Sequence, residues 1–428
     1  MKSEAIASPG SRPAAKEFLP RLLYLGDVPL EASYHGSALL YRLLQSYPSD
    51  RLRVIEGSIY KSLPERRLPS VSYGILQTGF TRLLNTRLHD WYSLWLSLRA
   101  AAWAQRVPAL LGGFEPDAVL TVAHGYLWVT AAEFARRQGL PLHLIVHDDW
   151  PRVSRLPPPF ADRIDLQFGH VYRAATSRLC VSPFMVEEYQ RRYGVEGRVL
   201  YPSRAQDVPT FSAPPTRLRD TGREIVFAFA GTINTPDYCR LIRTLAECLE
   251  AHNGRLIIFG PLTAEQAAAA DLVRPNIRLC GLVTSGELVE RLRAEVDVLF
   301  VPMSFAASDR PNMEISFPSK LTDYTTVGLP LLICGPEYCS AVRWARNNPG
   351  VAEVVDAEDM GGLAQAVERL AQNPEHRVRL ATQALATGDR YFSHAAAQQV
   401  FQAALIHISH GEFAMDNAAA GSKKAAAW

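Results

Sequence analysis

Lys320 and Asp323 stand three residues apart in the stretch Phe317-Pro318-Ser319-Lys320-Leu321-Thr322-Asp323-Tyr324. Two side chains at that spacing share one face of a helix. Ser319 is placed as an N-cap, Gly328 as a C-cap, and Pro330 ends the helix. A helix start offers unpaired N–H groups and partial positive charge, which suit a phosphate. A cation there, with a carboxylate one turn on, would hold a nucleotide by its phosphate and its ribose hydroxyls. The same residues would also serve as a surface ion pair on an ordinary helix, so the surrounding elements must decide. A second titratable group, His147-Asp148-Asp149, directly follows the apolar run 141–146, and His124-Gly125 follows the run 117–122. Polar groups at the C-terminal ends of parallel strands occupy the ligand-binding edge of α/β folds.

The elements that would position these residues alternate along the chain. Short apolar runs at 21–27, 51–57, 117–122, 141–146, 178–182 and 198–202 read as buried strands. A second series follows at 224–230, 255–260, 276–281, 296–302, 331–334 and 353–355. Helical apolar spacing lies between them, as at 36–44, 127–138, 236–251 and 359–372, and residues 303–316 read as a loop before the Lys320 helix. The alternation predicts an α/β protein of two doubly wound Rossmann-like lobes facing across a cleft. The expected division is a disordered N-terminus (1–19), a first lobe (20–205), a proline-rich linker (206–222) and a second lobe (223–392). A closing helix (393–410), able to return to the first lobe, and a flexible low-complexity tail (411–428) complete it.

Composition fits a large buried core: 48% of the 428 residues are apolar. Residues 1–220 hold 27 Lys and Arg against 20 Asp and Glu, and the remainder holds 18 against 23. A mildly basic first half suits an anionic substrate or membrane face, but is too dispersed for nucleic acid. Six cysteines show no Cys-x-x-Cys pair, so neither a disulfide framework nor a zinc site is expected. No apolar run is long enough to cross a membrane, and no signal-peptide pattern is seen, so a cytoplasmic protein is expected. The region 79–111 reads as helical, with Trp91, Trp95, Arg99 and Trp103 spaced by four. Such a stripe could rest on the inner face of a membrane. Lacking a dense Lys/Arg face, it is read in preference as core packing.

Four places in order resemble the retaining glycosyltransferases of the family-4 type, which have the GT-B fold. Residues 317–330 resemble their P-x-K-L-x-E-Y-x-x-x-G-x-P stretch, and residues 21–36 their first strand and Gly-bearing loop. Cys180-Val181-Ser182-Pro183, with Tyr193-Gly194-Val195 and Val199-Leu200-Tyr201-Pro202, resembles the close of their first lobe; Phe229-Ala230-Gly231-Thr232 resembles the opening of their second. The resemblance implies transfer of a hexosyl or related sugar from a nucleoside diphosphate to a hydroxyl acceptor. That acceptor would be a glycan, a lipid-linked molecule or a small molecule, and no metal or other cofactor would be needed.

By the same resemblance Lys320 faces the diphosphate, Asp323 the ribose, and Ser319, Gly231, Thr232 and Gly36 the phosphates. His147 contacts the donor sugar, and Asp148 orients it or meets the acceptor. Glu31, His35 and His124 are acceptor-side candidates. The pattern departs at 308–316, where Glu314, the candidate contact to the donor sugar, lies one residue further from Asp323 than the family's paired carboxylates. It departs again after Thr232, where the family's Arg and Lys are missing and Arg310 is the candidate substitute. Two rival readings remain: a sugar-nucleotide epimerase of similar fold, and a non-catalytic nucleotide-sugar-binding homologue.

Overall fold

Short apolar runs become the strands of two parallel sheets in the computed structural model, which describes residues 19–32, 36–233 and 235–406. The first sheet holds β1 (Leu22–Gly26), β2 (Leu52–Gly57), β3 (Ser72–Leu76), β4 (Ala118–Val122), β5 (Leu142–Val146), β6 (Ser177–Cys180) and β7 (Arg198–Val199). Their order is β3-β2-β1-β4-β5-β6-β7. The second sheet holds β8 (Val226–Ala230), β9 (Arg255–Phe259), β10 (Ile277–Gly281), β11 (Val298–Pro302), β12 (Leu331–Cys334) and β13 (Ala352–Val355), ordered β10-β9-β8-β11-β12-β13. In each lobe the chain order reverses beside the first strand, at β1/β4 and at β8/β11. Ligands of doubly wound sheets bind outside the strand ends at such switch points.

Burial explains why these runs became strands. Leu22, Leu23, Tyr24 and Leu25 are all 0% exposed because helices cover both faces of the sheet. Each such side chain contributes about 1.5–3 kcal/mol relative to exposure. The helix Gly36–Leu44 follows β1 and buries Leu40, Leu43 and Leu44. The helix Lys320–Val327 ends where expected, with Gly328 left-handed at φ 75°.

The lobes are tied below the cleft. Arg204, buried in the connection, donates to the carbonyl oxygens of Thr322 (3.4 Å) and Thr325 (3.2 Å) and pairs with Asp389 at 2.5 Å. The last described helix, His394–Ile406, returns to the first lobe. Its Ala397, Phe401 and Leu405 join the core around Leu22 and Tyr24, and Gln398 donates to the carbonyl of Leu43 at 2.6 Å.

Three expectations need correction. The edge strand β3 was not anticipated: its residues are mostly half exposed, so it lacks a continuous apolar run. The region 79–111 is not one helix. It breaks into Thr81–Leu84, His89–Arg99, a 3-10 turn at Ala100–Arg106 and Pro108–Leu111. The tighter turn takes Trp103 off the stripe and into the core (4% exposed), while Trp91 (59%) and Trp95 (46%) stay outside. The core reading therefore holds for Trp103 only. Finally, residues 303–316 contain a helix, Arg310–Ile315, with Pro311 in its first turn. The N-terminal residues 1–18, His35 and the tail lie outside the described residues.

Candidate active site

A cavity of 360 Å3 opens between the lobes, lined by the start of the helix Lys320–Val327. It falls within the range of small-ligand sites. Glycines at the ends of β8 and β9 shape its floor. Gly231 N–H donates to the carbonyl of Phe259 at 2.9 Å, and a Cβ on Gly260 would overlap the carbonyl oxygen of Gly231. Gly231 has φ 142°, which side chains rarely adopt. Bare backbone thus faces the cavity here, as a phosphate-binding turn requires. Tyr324 anchors the turn: its hydroxyl accepts from Ala230 N–H at 2.6 Å.

Lys320 lines the same cavity. Its Nζ lies 4.1 Å from the ring centroid of Phe229 and 5.6 Å from that of Tyr238. Both distances are within cation–π range. Removal of water around the amine lowers its pKa to about 7. A cation held against two rings, beside a helix start, has its electrostatic demand unmet until an anion arrives.

Asp323 is not free. Arg42, on the first-lobe helix, places Nη1 3.1 Å from Asp323 Oδ1, and its Nη2 donates to Oδ2 at 3.1 Å. Nη1 also donates to the Ser203 carbonyl at 3.0 Å, and Nη2 to Ser285 Oγ at 3.1 Å. Arg42 therefore brings a cation into the cleft from the lobe opposite to where the family pattern would supply one. Ser319 and Thr232 line the cavity as expected. The Ser319 side chain caps nothing, because its backbone is already helical at φ −56° and ψ −25°.

Across the cleft, strand ends bring two histidines and an aspartate together. His147 Nε2 lies 3.4 Å and His124 Nδ1 3.9 Å from Asp148 Oδ2. Asp148 lines the cavity. Burial, then repulsion from His147, lowers the His124 pKa to about 4, so its imidazole is neutral near pH 7. The ligand atoms of His124, His147 and Asp148 lie within 4.8 Å of one another, a set that could hold a divalent ion or a pair of hydroxyls. Asp149 points elsewhere, buried against Arg192 and Tyr189.

The remaining candidates fall outside the cavity. A Cβ on Gly36 would lie 2.9 Å from His147 Cε1, so this glycine makes room for the histidine rather than lining the site. Arg310 and Glu314 face each other at 3.6 Å on an exposed surface, away from the cavity. The helix Arg310–Ile315 turns them outward and turns Asn312 and Met313 inward. Glu31 is buried and accepts from Leu63 N–H at 2.6 Å, a loop-fixing role. Sequence reasoning passed over Arg42, Gly260, Gly281 and Asn312. The two glycines carried a signal, each closing an apolar run in the second lobe; Arg42 carried none.

Residues 62–203 match the model of Glycosyltransferase Family 4. No match to the chain was found among curated protein sequences. Among solved structures, HepE of Anabaena in complex with UDP-glucose is similar at 14% identity, over 89% of this chain and 97% of that one, with a TM-score of 0.60. WaaG, a glycosyltransferase involved in lipopolysaccharide biosynthesis, is similar at 14% identity, over 91% and 100%, with a TM-score of 0.60. Sucrose-phosphate synthase of Thermosynechococcus elongatus is similar at 13% identity, over 92% and 99%, with a TM-score of 0.62. The expected resemblance to family-4 glycosyltransferases, over residues 62–203, and the expected GT-B fold are thus borne out.

Proposed function

We propose that the chain is a retaining glycosyltransferase that takes a nucleoside-diphosphate sugar in the cleft and passes the sugar to a hydroxyl acceptor. One observation carries this reading most. Lys320, held against two rings at a helix start, faces the bare Gly231 turn, inside a fold shared with proteins that bind UDP and UDP-glucose. The diphosphate would lie between Lys320 and that turn, and the ribose on Asp323. Charge grows on the leaving diphosphate as the glycosidic bond breaks, so a fixed cation there stabilises the transition state more than the ground state.

The step keeps its balance without a protein nucleophile. The bond from the sugar C1 to phosphate oxygen breaks, a bond from the acceptor oxygen to C1 forms on the same face, and the acceptor proton passes to the departing phosphate. Asp148, His147 and His124 would hold the sugar and acceptor hydroxyls from the first lobe. Lys320 and Arg42 supply positive charge that a metal would otherwise bring, which supports metal independence. The anomeric configuration of the product, followed by proton NMR with and without a chelator, tests both points. Inversion, or loss of turnover with the chelator, would refute the corresponding one.

A second reading, a nucleotide-sugar binder without turnover, draws on the missing basic residues after Thr232 and on the engagement of Asp323 by Arg42. Binding of a nucleotide-sugar without turnover across an acceptor panel would favour it. The epimerase reading needs His147 with two carboxylates, Asp148 and Glu314, and loses one of them because Glu314 lies outside the cavity.

Peripheral membrane contact and a cytoplasmic location belong to the same proposal. Phe80, Leu88, Trp91, Trp95 and Leu98 are exposed around the helix His89–Arg99, which supports contact with a lipid surface. No helix among the described residues is long and apolar enough to cross a membrane.

A further inference from the structure

Two imidazoles and one carboxylate meet at the strand ends of the first lobe. His124 follows β4, and His147 and Asp148 follow β5, its neighbour in the sheet. One ligand atom from each of the three lies within 4.8 Å of the other two. Asp148 Oδ2 is central, 3.4 Å from His147 Nε2 and 3.9 Å from His124 Nδ1. Neither pair is joined by a hydrogen bond of ordinary length. The separations approach the spacing of about 3.3–3.5 Å between ligands that a zinc ion holds in tetrahedral geometry. An octahedral ion such as magnesium would need adjacent ligands about 3.0 Å apart.

The side chains are held from behind. Trp150 packs on the His124 ring at a centroid distance of 4.4 Å. The turn after His124 is pinned by Asp27, whose Oδ2 accepts from the N–H groups of Tyr126 (2.7 Å) and Leu127 (2.8 Å). A Cβ on Gly36 would lie 3.2 Å from His147 Nε2, so the glycine leaves room beside that nitrogen. Metal ligands depend on such supporting contacts for their orientation.

The set is open to the cleft. Asp148 lines the 360 Å3 cavity, and the side chains of His124 and Asp148 are 35% and 36% exposed. Arg42 and Lys320 are the cations lining that cavity among the described residues. Arg42 pairs with Asp323, and Lys320 lies against Phe229 and Tyr238. Among the described residues Asp148 has no ion-pair partner besides the two histidines. The carboxylate is therefore not claimed by a protein cation. Two imidazoles favour zinc and similar ions over magnesium and calcium, which take oxygen ligands.

We propose that His124, His147 and Asp148 bind a zinc ion that inhibits transfer. The ion would take the groups assigned above to the sugar and acceptor hydroxyls. It would also set positive charge on the side of the sugar, whose ring carbon gains positive charge as its bond to phosphate breaks. Turnover thus needs no metal, and zinc slows it. The inhibition rests on the glycosyltransferase reading; binding of the ion does not.

The test uses the full chain, with cobalt as a spectroscopic substitute for zinc. Tetrahedral cobalt absorbs in the visible, and thiolate ligation adds a near-ultraviolet band that would reveal binding at the six cysteines. Expected is one cobalt per chain with the visible band alone, displaced by zinc. His124→Phe keeps a ring against Trp150, and Asp148→Asn keeps the side-chain shape. Each should weaken cobalt binding at least about tenfold, since loss of even an outer-shell partner costs about 10–100-fold. No visible band, or undiminished binding in either variant, overturns the site. Release of nucleoside diphosphate from a donor is then followed with zinc and with excess chelator. Zinc at saturation should slow release at least about tenfold, and the chelator should restore it; unchanged release overturns the inhibition. Cobalt binding as expected, with no release from any donor in metal-free protein, would overturn the glycosyltransferase reading and the inhibition with it, leaving the site.

Discussion

Arg42 and Asp323 grip each other across the cleft, with Nη1 and Nη2 each 3.1 Å from a carboxylate oxygen. The two side chains are 11% and 17% exposed. The pair joins the first-lobe helix to the helix that carries Lys320. A carboxylate has about four lone-pair sites, so ribose hydroxyls can still bind Asp323 beside the guanidinium.

Removing Arg42 would leave that carboxylate unpaired where a diphosphate must enter. Arg42→Met is therefore expected to weaken UDP binding by about tenfold or more, read by calorimetry. Tighter binding would instead make the pair a plug that nucleotide has to displace.

Lys320 sets a pH dependence whose sign follows from its environment. Burial disfavours the ammonium and lowers its pKa to about 7; a bound diphosphate favours the ammonium and raises it again. Affinity for a nucleotide-sugar such as UDP-glucose is thus expected to be full below pH 7. It falls as pH rises above 7, by up to about tenfold per unit until the bound-state pKa is reached. Calorimetry at pH 8 in two buffers of different ionisation enthalpy should register proton uptake on binding, and Lys320→Met should abolish it.

Gly260 backs directly on the Gly231 turn. Gly260→Ala would push the carbonyl of Gly231 aside, and backbone cannot yield as a flexible side chain does. We expect about 1–3 kcal/mol of lost stability in urea unfolding, and weaker UDP binding in the folded fraction.

These positions differ in how far sequence alone reached them. The Lys320 helix was legible because its signals are local: a helical period, a glycine able to turn left-handed at 328, and a proline after it. The strand ends at His147 and His124 were legible because wholly apolar runs mark buried parallel strands. Arg42 was not, since its partner lies 281 residues away and nothing near it marks it out. Asp27 was hidden for the same reason, its N–H partners lying 99 and 100 residues on. The outward turn of Arg310 and Glu314 was missed because a helix of six residues has too short a period to read.

The exposed tryptophans make a separate prediction. Trp91→Ser with Trp95→Ser should reduce co-sedimentation with anionic liposomes while leaving UDP binding unchanged. Equal sedimentation would assign these rings to another partner.

The cleft around Lys320 is proposed to transfer sugar from a nucleotide. Its most direct test is release of nucleoside diphosphate by the purified protein, from a panel of nucleotide-sugars with and without hydroxyl acceptors. Release from at least one donor is expected, stimulated by an acceptor and reduced at least a hundredfold in Lys320→Met, roughly the loss of one transition-state charge contact. No release from any donor, or release untouched by Lys320→Met, would contradict it.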